Sequence, residues 1–380
     1  MTVLPQASAQ VATPATSATD SAPAAPPIAA TLTDEERALL KQKHIAVFGS
    51  FQYVIDFMRE PLGTIFDQAN VTFFEVRLKP ETAPLAKGYD AVCIFVNDRV
   101  NEEVCRVLEE GGVKFIALRC AGFDKVDLEA CKRHDLRVMR VPAYSPRSVA
   151  EHALALAFSL ARNLHLSHQR VCSGNYALSG LVGFEVSGKT VGVVGTGKIG
   201  AEFCTLLKGF GCRILAHDVY ECEVLKAQGV QYVPLEQLMS ESDIVSLHCP
   251  LMASTFHIIN AERLALMKPS AILINVSRGG LVDTDALLGA LQNGRLAGTA
   301  MDVYENEGPL FFKDYTRYTA RERMKAWDQR FSALVHMPQV LITPHSAFLT
   351  QEALGNIADT TAENLVCACL GRRLANEVLA

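Results

Sequence analysis

The 380-residue sequence predicts an α/β fold of two doubly wound parallel-sheet domains. Three observations predict it. The chain is longer than one hydrophobic core normally fills. From residue 45 onward, short apolar runs alternate with amphipathic stretches, as buried parallel strands alternate with crossover helices. One of these runs, TVGVVG, leads into GTGKIG at 195–200, and a helical stretch and a second strand ending in an acid follow.

The elements follow in chain order. The first 33 residues are dominated by Ala, Pro, Ser and Thr and carry no Lys, Arg or aromatic residue. Such a stretch buries too little apolar area to offset its ordering entropy, so residues 1–40 are set apart as a disordered tail or transit-peptide remnant. That composition points to a chloroplast or other plastid, with the cytoplasm as the alternative. Within the tail's end, TDEERALLKQK reads as a capped helical stretch, with Thr33 as N-cap and Glu36 three residues on. IAVFGS, VTFFEV, AVCIFV, FIALRCAG and RVMRVP then read as strands, with NEEVCRVLEEGG and DLEACKRHD as helices between them. The prolines of VPAYSP stop this unit, and RSVAEHALALAFSLARNLHLSHQRV reads as one long helix linking two domains.

Composition removes several functions. A net charge of −5 argues against a nucleic-acid or anionic-membrane partner, which calls for a basic face. No apolar run approaches the roughly 18 residues of a spanning helix. The 11 cysteines are odd in number and scattered, which suggests reduced thiols. Cys367 and Cys369, two apart on a helix, do not face each other. No set of Cys and His has metal-ligand spacing, so no metal is expected.

The glycine motif carries the cofactor reading. Gly195 allows the tight turn, Gly197 lets backbone approach a pyrophosphate, and Gly200 lets the helix pack close to the sheet. Lys198 and Ile199 open that helix, whose free N–H groups suit an anion. Asp218 ends the next strand, where it would accept hydrogen bonds from ribose hydroxyls. It would repel a 2′-phosphate, and no Arg follows at 219 or 220, so NAD is favoured over NADP. In an open α/β sheet, ligands bind beyond the carboxyl ends of the strands. At those ends lie His248, Cys249 and Pro250, then Val276, Ser277 and Arg278, then Asp302 with Glu305 and Glu307, and finally His345. Of these, Arg278, Glu307 and His345 are chemically capable, Glu305 competes with Glu307 as the acid, and the others are placed along the cofactor cleft.

VPAYSPRSVAEHALAL, VGVVGTGKIG, NVSRGGLVDTDAL, MDVYENEGPLFF and TPHSAFLTQEAL together resemble the D-isomer-specific 2-hydroxyacid dehydrogenases, and within them the D-lactate branch. The resemblance covers about residues 44 to 375. It implies a Rossmann/flavodoxin-like pair of domains with the active site in the cleft between them: a substrate domain of residues 44–143 plus 345–380, and an NAD-binding domain of residues 144–344. It implies reversible hydride transfer between NADH and pyruvate giving D-lactate, with a glyoxylate or hydroxypyruvate reductase as the alternative and an NAD(H)-sensing corepressor-like protein as a third. Arg278 would grip the substrate carboxylate and keto oxygen. His345 would be the acid–base, and Glu307, favoured over Glu305 by the family pattern, would hold its other ring nitrogen. Backbone N–H groups of Ala121 and Gly122 would bind the carboxylate. Tyr144 and Phe348 would wall the methyl pocket, with Tyr53 closing it, and Asp302 would hold the nicotinamide amide. Cys120, beside the carboxylate site, leaves room for thiol regulation. The chain would be a homo-oligomer, dimer or tetramer, with a contact along the helix at 145–171.

Overall fold

In the computed structural model, which describes residues 28–380, the chain builds two separate parallel sheets. The first holds β1 (Ile45–Val47), β2 (Val71–Phe73), β3 (Ala91–Ile94), β4 (Phe115–Leu118) and β5 (Arg137–Met139), in the order β2-β1-β3-β4-β5. The second holds β6 (Thr190–Val194), β7 (Arg213–His217), β8 (Gln231–Tyr232), β9 (Ile244–Leu247), β10 (Ile272–Asn275), β11 (Gly298–Met301) and β12 (Val340–Ile342). Its order is β8-β7-β6-β9-β10-β11-β12. Both orders start centrally, run to one edge and reverse, which is the doubly wound pattern. β13 (Glu377–Val378) returns antiparallel onto β5, with Glu377 opposite Met139. The chain's end thus belongs to the first sheet.

The strands form where the sequence is apolar on both faces. Every residue of β1, β3, β9, β10 and β11 is buried. Helices cover the faces: α1 (Asp34–Leu40), α2 (Gln52–Ile65), α3 (Glu102–Glu110), α4 (Leu128–Arg133), α5 (Pro146–Ala161), α6 (Leu164–Cys172) and α7 (Lys198–Leu207). Their starts are chemically marked. Asn101 and Asp127 accept backbone N–H bonds at the heads of α3 and α4, and Ser145 caps α5 with Pro146 in its first turn. Each such cap stabilises by about 1 kcal/mol.

Two expectations are corrected here. The tail does not run to residue 40: Ile28–Thr31 form a 3-10 turn and α1 follows, with the Thr33–Glu36 capping box made in both directions. Leu32 and Leu40 are buried in the first lobe's core, and that burial offsets the ordering entropy of the segment. The expected disorder of residues 1–27 lies outside the described residues. The long linking helix is also two helices. Phe184 N–H donates to the Ala161 carbonyl at 2.9 Å, taking the acceptor a continuing helix would use. Asn163 then turns at φ +50°, a conformation asparagine tolerates.

Candidate active site

The carboxyl ends of both sheets border one cleft of about 640 Å³. From the first lobe come Phe95 after β3, Cys120–Asp124 after β4 and Arg140 after β5; from the second come His248, Val276–Arg278 and Asp302. His345 lies in the segment that returns the chain to the first lobe, so the fold delivers it to the meeting point.

The glycine loop lies at the switch point between β6 and β9. Gly195 has φ +92°, and a Cβ there would lie 2.5 Å from the Cys249 nitrogen. A Cβ on Gly200 would lie 2.0 Å from the Gly195 carbonyl oxygen. Both positions therefore demand glycine. Gly197, which caps α7, faces open space. With Lys198, Ile199 and His248 it lines a side arm of the cleft that also touches Ala121 and Tyr144. Asp218 Oδ2 accepts from the Thr196 N–H at 2.5 Å and hydroxyl at 3.2 Å, while Oδ1 accepts from Tyr220 N–H at 3.1 Å. The loop and the acid are thereby locked together. His248 Nε2 meets Ser246 Oγ at 2.9 Å, while its Nδ1 is buried without a protein partner. Burial pushes this imidazole down to about 3, so it is neutral at ordinary pH. A tight glycine turn, open space at Gly197, an acid at the next strand end and an orphaned ring nitrogen fit a dinucleotide.

His345 Nδ1 stands 2.8 Å from Glu307 Oε1, and the other Glu307 oxygen accepts from Tyr304 N–H at 3.2 Å. Glu305 turns away, to His257 at 2.8 Å and Thr284 at 2.7 Å. His345 has φ +57°, an uncommon conformation that the loop holds in place. Asp302 does the holding. Its Oδ1 accepts from Thr343 Oγ1 at 2.5 Å and Ser346 N–H at 2.8 Å, and its Oδ2 from Ala347 N–H at 2.9 Å. Burial alone would raise this carboxyl, but the bonds from His152, Thr343 and Ala347, with the nearby His345, keep it below its usual range. Asp302 thus spends most of its acceptor capacity on the protein itself, beyond the role expected of it.

Arg278 closes against the first lobe. A Cβ on Gly122 would lie 1.9 Å from its Nη2, so the Ala121–Gly122 backbone has to be bare for the guanidinium to fit. The Ala121 and Gly122 N–H groups find no acceptor among the described residues. Phe348 is buried, with Phe95 at 5.3 Å and Tyr144 at 6.4 Å between ring centroids. Tyr53 is not in the cleft. It lines a separate cavity of about 20 Å³ behind Phe95 and Phe348. Cys120 is buried, its thiol donates to the Gly122 carbonyl, and burial pushes it up to about 12. A reactive thiolate there is disfavoured.

The sequence reading did not single out Asp124, whose Oδ1 lies 3.4 Å from Arg278 Nε, nor Arg140, which donates to the Ala121 carbonyl at 2.9 Å, nor Phe95. Phe95 and Arg140 follow strand ends, so the carboxyl-edge rule applied to the first sheet would have found both. Asp124 lies in a loop, and only the fold brings it to Arg278.

Residues 154–347 match the D-isomer specific 2-hydroxyacid dehydrogenase, NAD binding domain. The D-lactate dehydrogenase of Escherichia coli (strain K12) is 43% identical over 88% of this chain and 99% of its own length. The chain belongs to the D-isomer-specific 2-hydroxyacid dehydrogenases. It is an NAD-dependent oxidoreductase of that family. Among solved structures, the pyruvate reductase of Chlamydomonas reinhardtii superposes with a TM-score of 0.84 at 50% identity, over 89% of this dehydrogenase and all of that chain. The NAD-complexed D-isomer specific 2-hydroxyacid dehydrogenase of Lactobacillus delbrueckii ssp. bulgaricus superposes with 0.71 at 31% identity, over 88% of this chain and all of its own.

Proposed function

We propose that this dehydrogenase interconverts pyruvate and D-lactate with NAD(H), chiefly in the direction of pyruvate reduction. One observation carries the reading: the Glu307–His345 pair and Arg278 share a cleft with an aromatic wall at Phe348. The similarity to a D-lactate dehydrogenase and to a pyruvate reductase supports it.

Each residue has a physical task. The Arg278 guanidinium donates parallel bonds to the substrate carboxylate and keto oxygen, and the Ala121 and Gly122 N–H groups take the carboxylate's other lone pairs. Phe348, Phe95 and Tyr144 enclose the methyl group and keep water off the reacting carbon. Gly195, Gly197, Lys198, Ile199 and Gly200 receive the pyrophosphate, with Asp218 at the ribose, while His248, Cys249, Pro250, Val276, Ser277 and Asp302 border the nicotinamide side. When bound, NADH supplies the hydride to the keto carbon. Glu307 accepts from His345 Nδ1, which leaves Nε2 to give its proton to the keto oxygen in reduction and to take it back in oxidation. His248, neutral at ordinary pH, does not compete as donor.

The test is NADH consumption with pyruvate, hydroxypyruvate and glyoxylate compared by kcat/KM, wild type beside His345→Ala. Preference for pyruvate that collapses in the variant is the expected result. Preference for hydroxypyruvate would overturn the substrate assignment, and absence of turnover with every 2-keto acid would overturn the enzymatic reading.

We also infer a homo-oligomer. Leu164, Val171, Tyr176, Leu178 and Val182 stand exposed along α6 and the arm after it, an apolar stripe that suits a second copy. Light scattering of the purified protein decides it; a monomer at micromolar concentration would refute it. The Ser/Thr/Ala-rich composition of residues 1–33 supports a plastid location, checked by fusing residues 1–44 to a fluorescent protein. No helix among the described residues is long and apolar enough to cross a membrane.

A further inference from the structure

Arg77 lies just after β2 in the first lobe, yet its side chain reaches into the second. Nη1 donates to the Gly308 carbonyl at 2.9 Å and Nη2 to the Phe311 carbonyl at 2.7 Å. No carboxylate lies within salt-bridge distance of it among the described residues. A partly desolvated guanidinium anchored on two carbonyls is a costly arrangement unless its geometry is used, and the planar fork suits two acceptors spaced along one turn.

That turn carries the acid of the dyad. The Leu310 and Phe311 N–H groups both donate to the Glu307 carbonyl, at 2.8 and 2.9 Å. Glu307 Oε1 faces His345 at the turn's start. At its far end Phe312 sits at φ +61°, with its ring edge-on to Phe95 of the first lobe at 5.9 Å and 6.0 Å from the His345 ring. The first lobe therefore grips the 307–312 turn at two places, Arg77 and Phe95, with the Glu307–His345 pair between them.

We propose that Arg77 is a positioning residue for this reaction: a clasp between the lobes that couples closure of the cleft to the seating of Glu307 against His345. The proposal rests on the reading of His345 as the acid–base group. When the lobes part, the fork leaves its carbonyls, the turn loses its outer support and the imidazole loses its fixed orientation. When they close on substrate, the clasp re-forms and the proton donor is aimed. The cofactor side of the cleft belongs to the second lobe and does not sense the clasp.

The test compares wild type with Arg77→Met and Arg77→Lys. The readouts are pyruvate reduction, NADH binding by fluorescence, and hydrogen exchange of the Leu310 and Phe311 amides with and without NADH plus oxamate. For Arg77→Met, kcat is expected to fall about 10²-fold, as misplacement of a catalytic group does. The NADH Kd should stay within twofold, and the ligand-induced protection of both amides should disappear. Lysine, which offers one point donor in place of a fork, should fall between the two. Wild-type kcat in Arg77→Met would overturn the proposal. So would loss of kcat, NADH binding and thermal stability together in both variants, which marks a merely structural residue. Should Arg77→Met not fold, the same comparison is read on Arg77→Lys. If wild type turns over no 2-keto acid, the acid–base reading falls instead, and the exchange data still report the clasp.

Discussion

Glu307 Oε1 and His345 Nδ1 meet at 2.8 Å, and both residues are at least four-fifths buried. The carboxylate arrives from the turn after β11 and the imidazole from the loop after β12. Two adjacent strand ends thus fix the ring so that Nε2 is the nitrogen left free.

Replacing that carboxylate should cost orientation more than affinity. Glu307→Gln is expected to lower kcat for pyruvate reduction about 10²-fold, within the range of general acid–base contributions, with little change in NADH binding. Glu305→Gln breaks a bond to His257 instead and should keep kcat within about threefold of wild type. Steady-state kinetics on the pair decide the assignment; if Glu305→Gln is the damaged enzyme, the roles are reversed.

Asp302 should matter for stability as well as rate. In Asp302→Asn an amide group faces N–H donors where an oxygen was, and bonds to charged groups are worth about 1.5–3 kcal/mol each. Its carboxyl sits below its usual range when folded. The unfolded chain therefore takes up the proton first, so the contribution is present above the ordinary carboxylate value and is lost as pH falls through the folded one. Urea midpoints should separate wild type from Asp302→Asn most at pH 7, and the gap should shrink as pH falls below the ordinary carboxylate value. A gap independent of pH would reject the ionised carboxylate as the source.

His248 predicts acid sensitivity of its own. Burial holds it at about 3 when folded, against 6.5 for an ordinary histidine. The unfolded chain binds the extra proton, so stability is lost as pH falls from about 6.5 towards 3. His248→Gln cannot titrate. Its melting temperature should decline less than that of wild type between pH 7 and pH 4.5, and parallel declines would refute the point.

Cofactor choice should depend on a relay behind Asp218. Cys222 N–H donates to the Tyr232 hydroxyl at 2.9 Å, and that hydroxyl donates to Thr196 Oγ1 at 2.9 Å, which bonds Asp218. Tyr232→Phe removes the middle link. KM for NADH is expected to rise several-fold with kcat retained. Asp218→Ala should raise it more than tenfold and narrow the gap between NADH and NADPH, since the repulsion of a 2′-phosphate goes with the carboxylate. An unchanged NADH-to-NADPH ratio in Asp218→Ala would remove Asp218 from specificity.

What could be read in the sequence was what local chemistry fixes. Thr33 and Glu36 spell a capping box in four letters, and GTGKIG spells a turn that only glycine can make. Arg278, Glu307 and His345 each follow an apolar run, so the carboxyl-edge rule gathers them without coordinates. Where the reading failed, a distant segment had intervened. The helix of residues 147–171 looks continuous in periodicity, but it breaks at Asn163, whose φ is +50°, where Phe184 N–H from a later segment meets the Ala161 carbonyl. The family resemblance implies Tyr53 at the methyl pocket, but the packing of Phe95 and Phe348 puts it behind the wall.

The two parallel sheets, the dinucleotide turn with its preference for NAD, and the residue types at the strand ends are thus legible in the chain without coordinates. Those depend on periodicity, glycine geometry and charge, all of which act within a few residues. The tertiary structure alone decided that Asp302 anchors the loop of His345, that Asp124 meets Arg278, and that Arg77 reaches from one lobe to the turn of Glu307 in the other. Side-chain bonds between residues 41, 154 and 231 positions apart leave no local signature, because their geometry is set by how two sheets face each other across a cleft.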